Sequence, residues 1–369
     1  SAEVLKTIES NTIDAVITDP PYGIEFLGKE WDSNTGAVEI WQECLRVLKP
    51  GGHLLAFSAA RTYHILATNI QASGFEIRDQ IMWIYASGFP KAQDIGKAIQ
   101  KRQGVKETKA IPKERQTKTA GFANTGAQEK EAWSGVETVC TSPEAQQWAG
   151  WKTALKPAHE PIVMARKPFR GSTIDNVLEH GVGALNIDAT RIASEPFDYC
   201  ADGLNRTTYS QSEPAKWNDS DKQMIRNDKG RFPSNVLGEI PDYQKYFYCP
   251  KVTQRERNRG CEDREAKPLF KDRHKDAKAL GSWADKRDQA HKNNHPTVKP
   301  VALMRYLVRL VTPADTHILD PFAGSGSTGM ACRELARQFT GIDLDPNYCE
   351  IARKRIAATQ EDKSETLFE

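Results

Sequence analysis

The sequence predicts an α/β fold: a parallel sheet with helices on both faces, built from both ends of the chain, with an irregular lobe inserted between them. Short apolar runs alternate with amphipathic stretches of helical spacing near both ends. The alternation stops between about Phe89 and Asn294, apart from one strand-like run. A chain of 369 residues is long enough to bury a sizeable core without disulfide staples.

In order, "AEVLKTIES" has helical spacing and "DAVIT" is a short apolar strand. "AVEIWQECLRVLKPGG" reads as an amphipathic helix stopped by Pro50 and two glycines. "HLLAFSA" is the next strand, "TYHILATNIQASGF" a helix ending at Gly74, and "EIRDQIMWIYA" a strand. "EPIVMAR" is the isolated strand candidate of the middle. The rhythm resumes with "VALMRYLVRLV" as a helix, "HILD" as a strand, "TGMACRELARQ" as a helix, "FTGIDL" as a strand and "YCEIARKRIAA" as a helix. Residues 1–88 and 294–369 are thus expected to form two halves of one domain, joined by a strand within 151–167, with insertions at 89–150 and 168–293. A structureless loop as long as the second insertion is implausible inside a compact domain, so it is expected to form its own lobe.

The formal net charge is +2. Lys and Arg outnumber Asp and Glu over 97–118 and 251–292, where basic runs suit a phosphate-bearing partner or a solvated surface. The seven cysteines are scattered, with no CxxC pair and no histidine cluster at ligand spacing, so reduced thiols and no metal are expected. With no run of about 18 apolar residues and no secretion-type start, a soluble, intracellular protein with no membrane partner is expected.

Two stretches carry chemistry. In "HILDPFAGSGSTG", residues 317–329, a strand ends at Asp320 and a glycine-rich turn opens a helix, so backbone can approach a ligand closely. Gly324, Gly326 and Gly329 satisfy GxGxxG, and Asp343 ends the next strand, placed to accept from two ribose hydroxyls. A dinucleotide dehydrogenase, or a tight turn with no ligand, would read the same way. "DPPY", residues 19–22, leans away from both. Proline fixes φ and restrains its predecessor, so the Asp19 carboxylate and the Pro20 main-chain carbonyl become a rigid pair of acceptors at a sheet edge. Two such acceptors match the two N–H donors of an amino group. An aromatic amine is a poor nucleophile because its lone pair is delocalised. Acceptors that pyramidalise the nitrogen aim that lone pair at an electrophile, Asp19 can take the departing proton, and Tyr22 can stack on the ring.

"TDPPYGI" followed much later by "LDPFAGSGSTG" resembles the S-adenosylmethionine-dependent DNA amino-methyltransferases, in the permuted order with the catalytic motif first. "NHPTVKPVALM", residues 294–304, is similar to the segment that precedes their cofactor loop. The resemblance covers roughly the two ends of the chain and implies a Rossmann-like methyltransferase sheet with an inserted DNA-recognition lobe, the target-recognition region falling at 168–293 and 89–150 also facing DNA. It implies that Asp19, Pro20, Pro21 and Tyr22 hold the target base, and that Asn294, His295, Thr297 and Lys299 border the methionine end of S-adenosylmethionine. It further implies that Asp320, Phe322, Ala323, Gly324, Ser325 and Gly326 line the cofactor pocket and that Asp343 binds its ribose. Family members often carry a Gly-Asp pair before the helix leading into the DPPY strand. This chain opens with "SAEVL", and no residue is assigned to the cofactor adenine.

The implied substrate is an amino group of a base rotated out of double-stranded DNA. Asp19, rather than the serine frequent in cytosine-N4 members, favours adenine N6, with cytosine N4 as the alternative. Cytosine C5 chemistry needs a Pro-Cys nucleophile, and Cys249-Pro250 has the reverse order. "QRERNRG", residues 254–260, is the densest candidate for DNA contact or a solvated charge run. The resemblance allows a homodimer, neither implies nor excludes a companion restriction enzyme, and places the protein in the cytoplasm of a bacterium or phage-infected host. Two readings from other classes remain, an NAD-dependent oxidoreductase and a non-catalytic DNA-binding relative. The first leaves DPPY unexplained, and the second would show decay of Asp19 or the glycines.

Overall fold

The computed structural model describes residues 2–23, 34–85, 92–105, 108–110, 136–192, 197–200, 224–227, 229–238, 251–267 and 291–361. Two compact units result: Ser1–Ser87 with His159–Glu369, and Gly88–Ala158. The described residues of 168–293 fall in the first unit, with the sheet.

The first unit opens with α1 (Ala2–Leu5), β1 (Ile13–Thr18), α2 (Val38–Val47), β2 (Leu48–Phe57), α3 (Tyr63–Ala72) and β3 (Glu76–Ile84). The second unit supplies α4 (Ile95–Arg102), β4 (Thr108–Ala110), β5 (Val136–Thr138) and α5 (Pro143–Gln147). In it, the buried Gln100 side chain ties α4 to the start of α5 by donating to Thr141 Oγ1 at 2.7 Å and accepting from Thr141 N at 3.0 Å. The first unit resumes with β6 (His159–Arg166), α6 (Thr173–His180), β7 (Phe197–Cys200), β8 (Met224–Asn227), β9 (Val236–Gly238) and α7 (Gln254–Asn258). It closes with α8 (Val301–Val311), β10 (His317–Asp320), α9 (Ser327–Glu334), β11 (Gln338–Gly341) and α10 (Pro346–Ala357).

The central sheet has seven strands in the order β11-β10-β1-β2-β6-β3-β9. Both ends of the chain build it, as expected, because β10 pairs in parallel with β1. The expectation of an all-parallel sheet is corrected at one strand. β6 lies between β2 and β3 and is antiparallel to both, while the other six strands share one direction. "EPIVMAR" is an apolar run buried from both sides, and such a run fits either direction; direction is set by the connections, which local pattern does not carry.

All six residues of β1 are buried, and their side chains alternate between two cores. Ala15 and Ile17 pack with Leu303, Leu307 and Met330 of α8 and α9. Val16 packs with Trp41, Val47, Leu66 and Ile70 of α2 and α3. Helices therefore cover both faces.

Among the differences from expectation, one lies at the start of β2 and one beside β3. Helix α2 ends at Val47, and the chain is already extended at Leu48, with φ −65° and ψ 142°; Pro50 keeps Lys49 extended as well. "KPGG" then forms a bulge, since pairing jumps from Ile13↔Leu48 to Ala15↔His53. Lys167 closes this corner by donating to Leu48 O at 2.7 Å and Asn11 Oδ1 at 2.7 Å. The second difference is β9, a three-residue edge strand from the stretch expected to be irregular. Its register is pinned by Met82 N donating to Asn235 O at 2.8 Å.

Across the β10–β1–β2 junction, Asp14 accepts from Lys49 Nζ at 2.6 Å and from the His317 amide at 2.7 Å. Asp14→Ala strands that amide, so a loss of about 1–3 kcal/mol is expected. In a thermal melt this is a drop of several degrees, and an unchanged midpoint would show that water replaces the carboxylate.

A candidate active site at the strand ends

β10 and β1 are neighbours whose onward connections diverge, β10 leading through α9 to β11 and β1 leading through α2 to β2. The point where connections part is where open α/β sheets leave a crevice for ligands. The glycine loop, 321–326, leaves one of these two strands and "DPPY" leaves the other.

One side chain couples the two loops. Asp320, 2% exposed, accepts from Thr18 Oγ1 at 2.6 Å, from Thr328 Oγ1 at 2.7 Å and from the Phe322 amide at 3.1 Å. Burial pushes its carboxyl up to about 6 against the pull of these donors. The residue expected in the cofactor pocket has both oxygens committed inside the protein, to the end of β1, the turn and the start of α9.

Asp343 is similar. It lies two residues beyond the end of β11, and one oxygen accepts from the Gly324 amide at 2.9 Å, the other from the Asp345 amide at 2.9 Å. Each oxygen retains further acceptor capacity. Phe322 packs 5.9 Å from Trp41, Ala323 donates its amide to Ile342 O, and Ser325 accepts from the buried Arg355 at both its carbonyl, 2.7 Å, and its hydroxyl, 3.0 Å.

The three glycines are needed for different reasons. Gly324 has φ +50°, and a Cβ there would lie 2.7 Å from His295 Nε2. Gly326 has φ +77° and would meet Ala352 at 2.9 Å. A Cβ on Gly329 would meet Ile356 at 2.4 Å. Gly324 thus brings the loop against His295, while Gly326 and Gly329 bring α9 against α10. His295 Nδ1 lies 2.7 Å from Thr297 O, and burial lowers its pKa to about 3. The ring is neutral, Nδ1–H donates to that carbonyl, and Nε2 presents a lone pair to the glycine loop. Asn294 Oδ1 accepts from Asn347 at 3.4 Å.

On the other side, Pro20 is buried and Asp19 is partly buried. Tyr22 Oη lies 2.8 Å from Asp19 Oδ1, and Lys299 Nζ donates to Asp19 Oδ2 and to Tyr22 Oη, the latter at 3.1 Å. Lys299 is buried, 4.9 Å above the Phe57 ring. Burial holds Asp19 above the usual carboxylate range, Lys299 opposing and the Glu160 carboxylate adding. Burial works against the Lys299 ammonium, but Asp19 and Glu160 outweigh it and hold it above the usual lysine value. Asp19 and Lys299, 280 residues apart, are brought into direct contact, whereas His295 stands at the glycine loop and Asn294 at the start of α10.

"QRERNRG" is not simply a solvated run. Glu256 caps α8 by accepting from the Val301 amide at 2.7 Å, Arg257 donates to His295 O at 2.6 Å, and Asn258 accepts from the Asn293 amide at 3.1 Å. These three side chains anchor the "NHPTVKP" segment, which leaves Arg255 as an exposed residue of α7.

A family model described as DNA methylase, N6_N4_Mtase, matches residues 13–354. The chain belongs to the N6/N4 DNA methylase family. The type II methyltransferase M.HindIII of Haemophilus influenzae is 24% identical over 398 residues, covering 95% of this chain and 91% of that protein. The type II methyltransferase M.HpaI of Haemophilus parainfluenzae is 24% identical over 368 residues, covering 96% and 71%. Among solved structures, the M1.HpyAVI–SAM complex aligns over 96% of this chain and 94% of its own, at 17% identity and TM-score 0.39. The PvuII DNA methyltransferase (cytosine-N4-specific) aligns over 99% and 86%, at 13% identity and TM-score 0.45.

Sequence reasoning missed three polar residues at this methylase's "DPPY" corner. Glu160 on β6 has Oε2 3.2 Å from Tyr22 Oη and 3.5 Å from Lys299 Nζ. Lys251 Nζ lies 3.7 Å from Glu160 Oε1 and 3.9 Å above the ring of Tyr85, whose hydroxyl also bonds Glu160. The one available signal was a glutamate opening an otherwise apolar strand, "EPIVMA".

Because Asp320 is held at about 6, well above 3.8, its contribution to stability is full below pH 3.8, falls as pH rises and is gone past about 6. Asp320→Asn removes this dependence. In denaturant titrations over that window the wild type is expected to lose roughly 3 kcal/mol relative to the variant; parallel curves would refute a buried, protonatable Asp320.

Proposed function

We propose that the protein transfers a methyl group from S-adenosylmethionine to adenine N6 in double-stranded DNA, with the target nucleotide rotated out of the helix. The observation that carries this reading is the convergence of "DPPY" and the glycine loop on one crevice, tied together through Thr18 and Asp320.

The glycine turn fits the cofactor. Gly324 supplies close-approach backbone at positive φ, Asp343 has acceptor capacity left for a diol, and His295 Nε2 presents an acceptor nearby. Asn294, Thr297, Phe322, Ala323, Ser325 and Gly326 complete the surround, and Asp320 serves it from behind by fixing the turn. When bound, S-adenosylmethionine supplies an electrophilic methyl on a sulfonium.

The chain's own residues prepare the nucleophile. The Asp19 carboxylate and the Pro20 carbonyl each accept one N–H of the amino group, so that the nitrogen pyramidalises and its lone pair becomes available. As the N–C bond forms and the S–C bond breaks, the nitrogen sheds a proton and Asp19 takes it. The raised pKa of Asp19 suits that role. Pro21 keeps the corner stiff, and Tyr22 stacks on the extruded base, offsetting part of the few kcal/mol that extrusion costs. Such an enzyme works on bacterial or phage DNA in the cytoplasm.

Incubation with unmethylated bacterial DNA and isotopically labelled S-adenosylmethionine, followed by nucleoside mass spectrometry, is expected to place label in N6-methyladenine. Label in N4-methylcytosine would keep the chemistry and overturn the base. No label in DNA would overturn the reading.

Two variants separate the loops. Asp19→Ala is expected to bind cofactor normally in calorimetry while losing roughly 100-fold or more in turnover. Gly324→Val should lose cofactor binding, because its Cβ collides with His295; normal binding would remove this loop from the cofactor site.

A further inference from the structure

We propose that Glu160 is a positioning residue for methyl transfer, drawing the Lys299 ammonium away from Asp19 so that Asp19 can accept from the target amino group. The inference rests on the methyl-transfer reading of Asp19 and adds a residue to it.

Glu160 is a carboxylate for which the reaction at Asp19 alone has no use. Its side chain is 15% exposed. It is met by groups from four separate places in the chain: Tyr22 after β1, Lys299 before α8, Lys251 before α7 and Tyr85 at the end of β3. Removing a carboxylate this far from water is unfavourable unless partners compensate. A packing role at the start of β6 would be served by an uncharged side chain.

The distances show what the charge does. Lys299 Nζ is in hydrogen-bond contact with Asp19 and stands 3.5 Å from Glu160, inside ion-pair range but long for a hydrogen bond. A shift of roughly 0.5 Å toward Glu160 makes that bond and loosens the one to Asp19 Oδ2. Tyr22 offers the same choice: its single hydroxyl proton has Asp19 Oδ1 at 2.8 Å and Glu160 Oε2 at 3.2 Å. Both donors that occupy Asp19 thus have a second acceptor on the same carboxylate. Without it, Lys299 would face one anion and hold it in a tight pair, leaving a weaker base and a blocked acceptor. With it, the incoming amino group displaces donors that already have somewhere to go.

The test compares the pH dependence of kcat/KM for labelled methyl transfer in wild type, Glu160→Gln, Lys299→Met and the double variant, with melting and cofactor affinity measured alongside. The groups facing this carboxylate pair are Tyr22, Tyr85, Lys251, Lys299 and, behind Asp19, Asp320. Glu160→Gln is expected to lower kcat roughly tenfold, to leave cofactor affinity unchanged and to move the acidic limb to lower pH, because Asp19 loses a neighbouring negative charge. In the Lys299→Met background the same change should alter the rate by less than about twofold. An unmoved limb, or the same tenfold loss in both backgrounds, would overturn the proposal. If Glu160→Gln does not fold, Glu160→Asp decides: a carboxylate drawn back from Lys299 by one methylene is expected to lower kcat severalfold with cofactor affinity unchanged, and to do so only where Lys299 is present; wild-type kcat, or the same loss in the Lys299→Met background, overturns the proposal. Absence of transfer by the wild type would instead overturn the reading of Asp19 itself.

Discussion

The site depends on one buried carboxylate. Asp320 reaches across from β10 to Thr18 at the end of β1, down to the Phe322 amide and forward to Thr328 in α9. β1 and β10 belong to segments about 300 residues apart in the chain, and their pairing alone leaves the two loops beyond them free to diverge. The three bonds to Asp320 fix both loops to a common point. Burial disfavours the charged carboxylate at this point, and the three donors oppose that push.

A second layer holds the glycine-loop side in place from outside the sheet. Arg355 of α10 reaches the glycine turn at Ser325, and Glu256, Arg257 and Asn258 of α7 bind the segment that carries His295 and Lys299. Charged side chains that read from sequence as surface are here consumed by backbone groups. The order that results explains how His295 can be neutral and directed: its Nδ1 proton is given to a carbonyl two residues on, and its environment excludes the charged form.

On the side where the target amino group is proposed to bind, the governing fact is a shared ammonium. Asp19 and Glu160 are both within reach of Lys299, and Tyr22 bridges the same two carboxylates. Lys251 compensates the second charge from its outer edge. A pair of carboxylates with fewer donors than it can use is a labile arrangement, suited to a site where a hydrogen-bonding substrate must enter and leave.

The sequence by itself determined the α/β class, the assembly of one sheet from both chain ends, and the stiff "DPPY" and flexible glycine corners, because period-two and period-3.6 patterns and proline and glycine backbone limits are local. It also determined membership of the DNA amino-methylases, through motifs whose residues act in short runs. Only the tertiary structure decided the reversed direction of β6, the edge strand β9, the docking of "ERN", residues 256–258, as scaffold and the entry of Glu160 into the site. Each of these is a contact between segments far apart in sequence. Hydrogen-bond partners and strand direction are settled by which surfaces meet in space, and no local pattern records that. Asp320 shows the boundary most clearly: its place before the glycines was legible, but its commitment to Thr18, 302 residues away, was not.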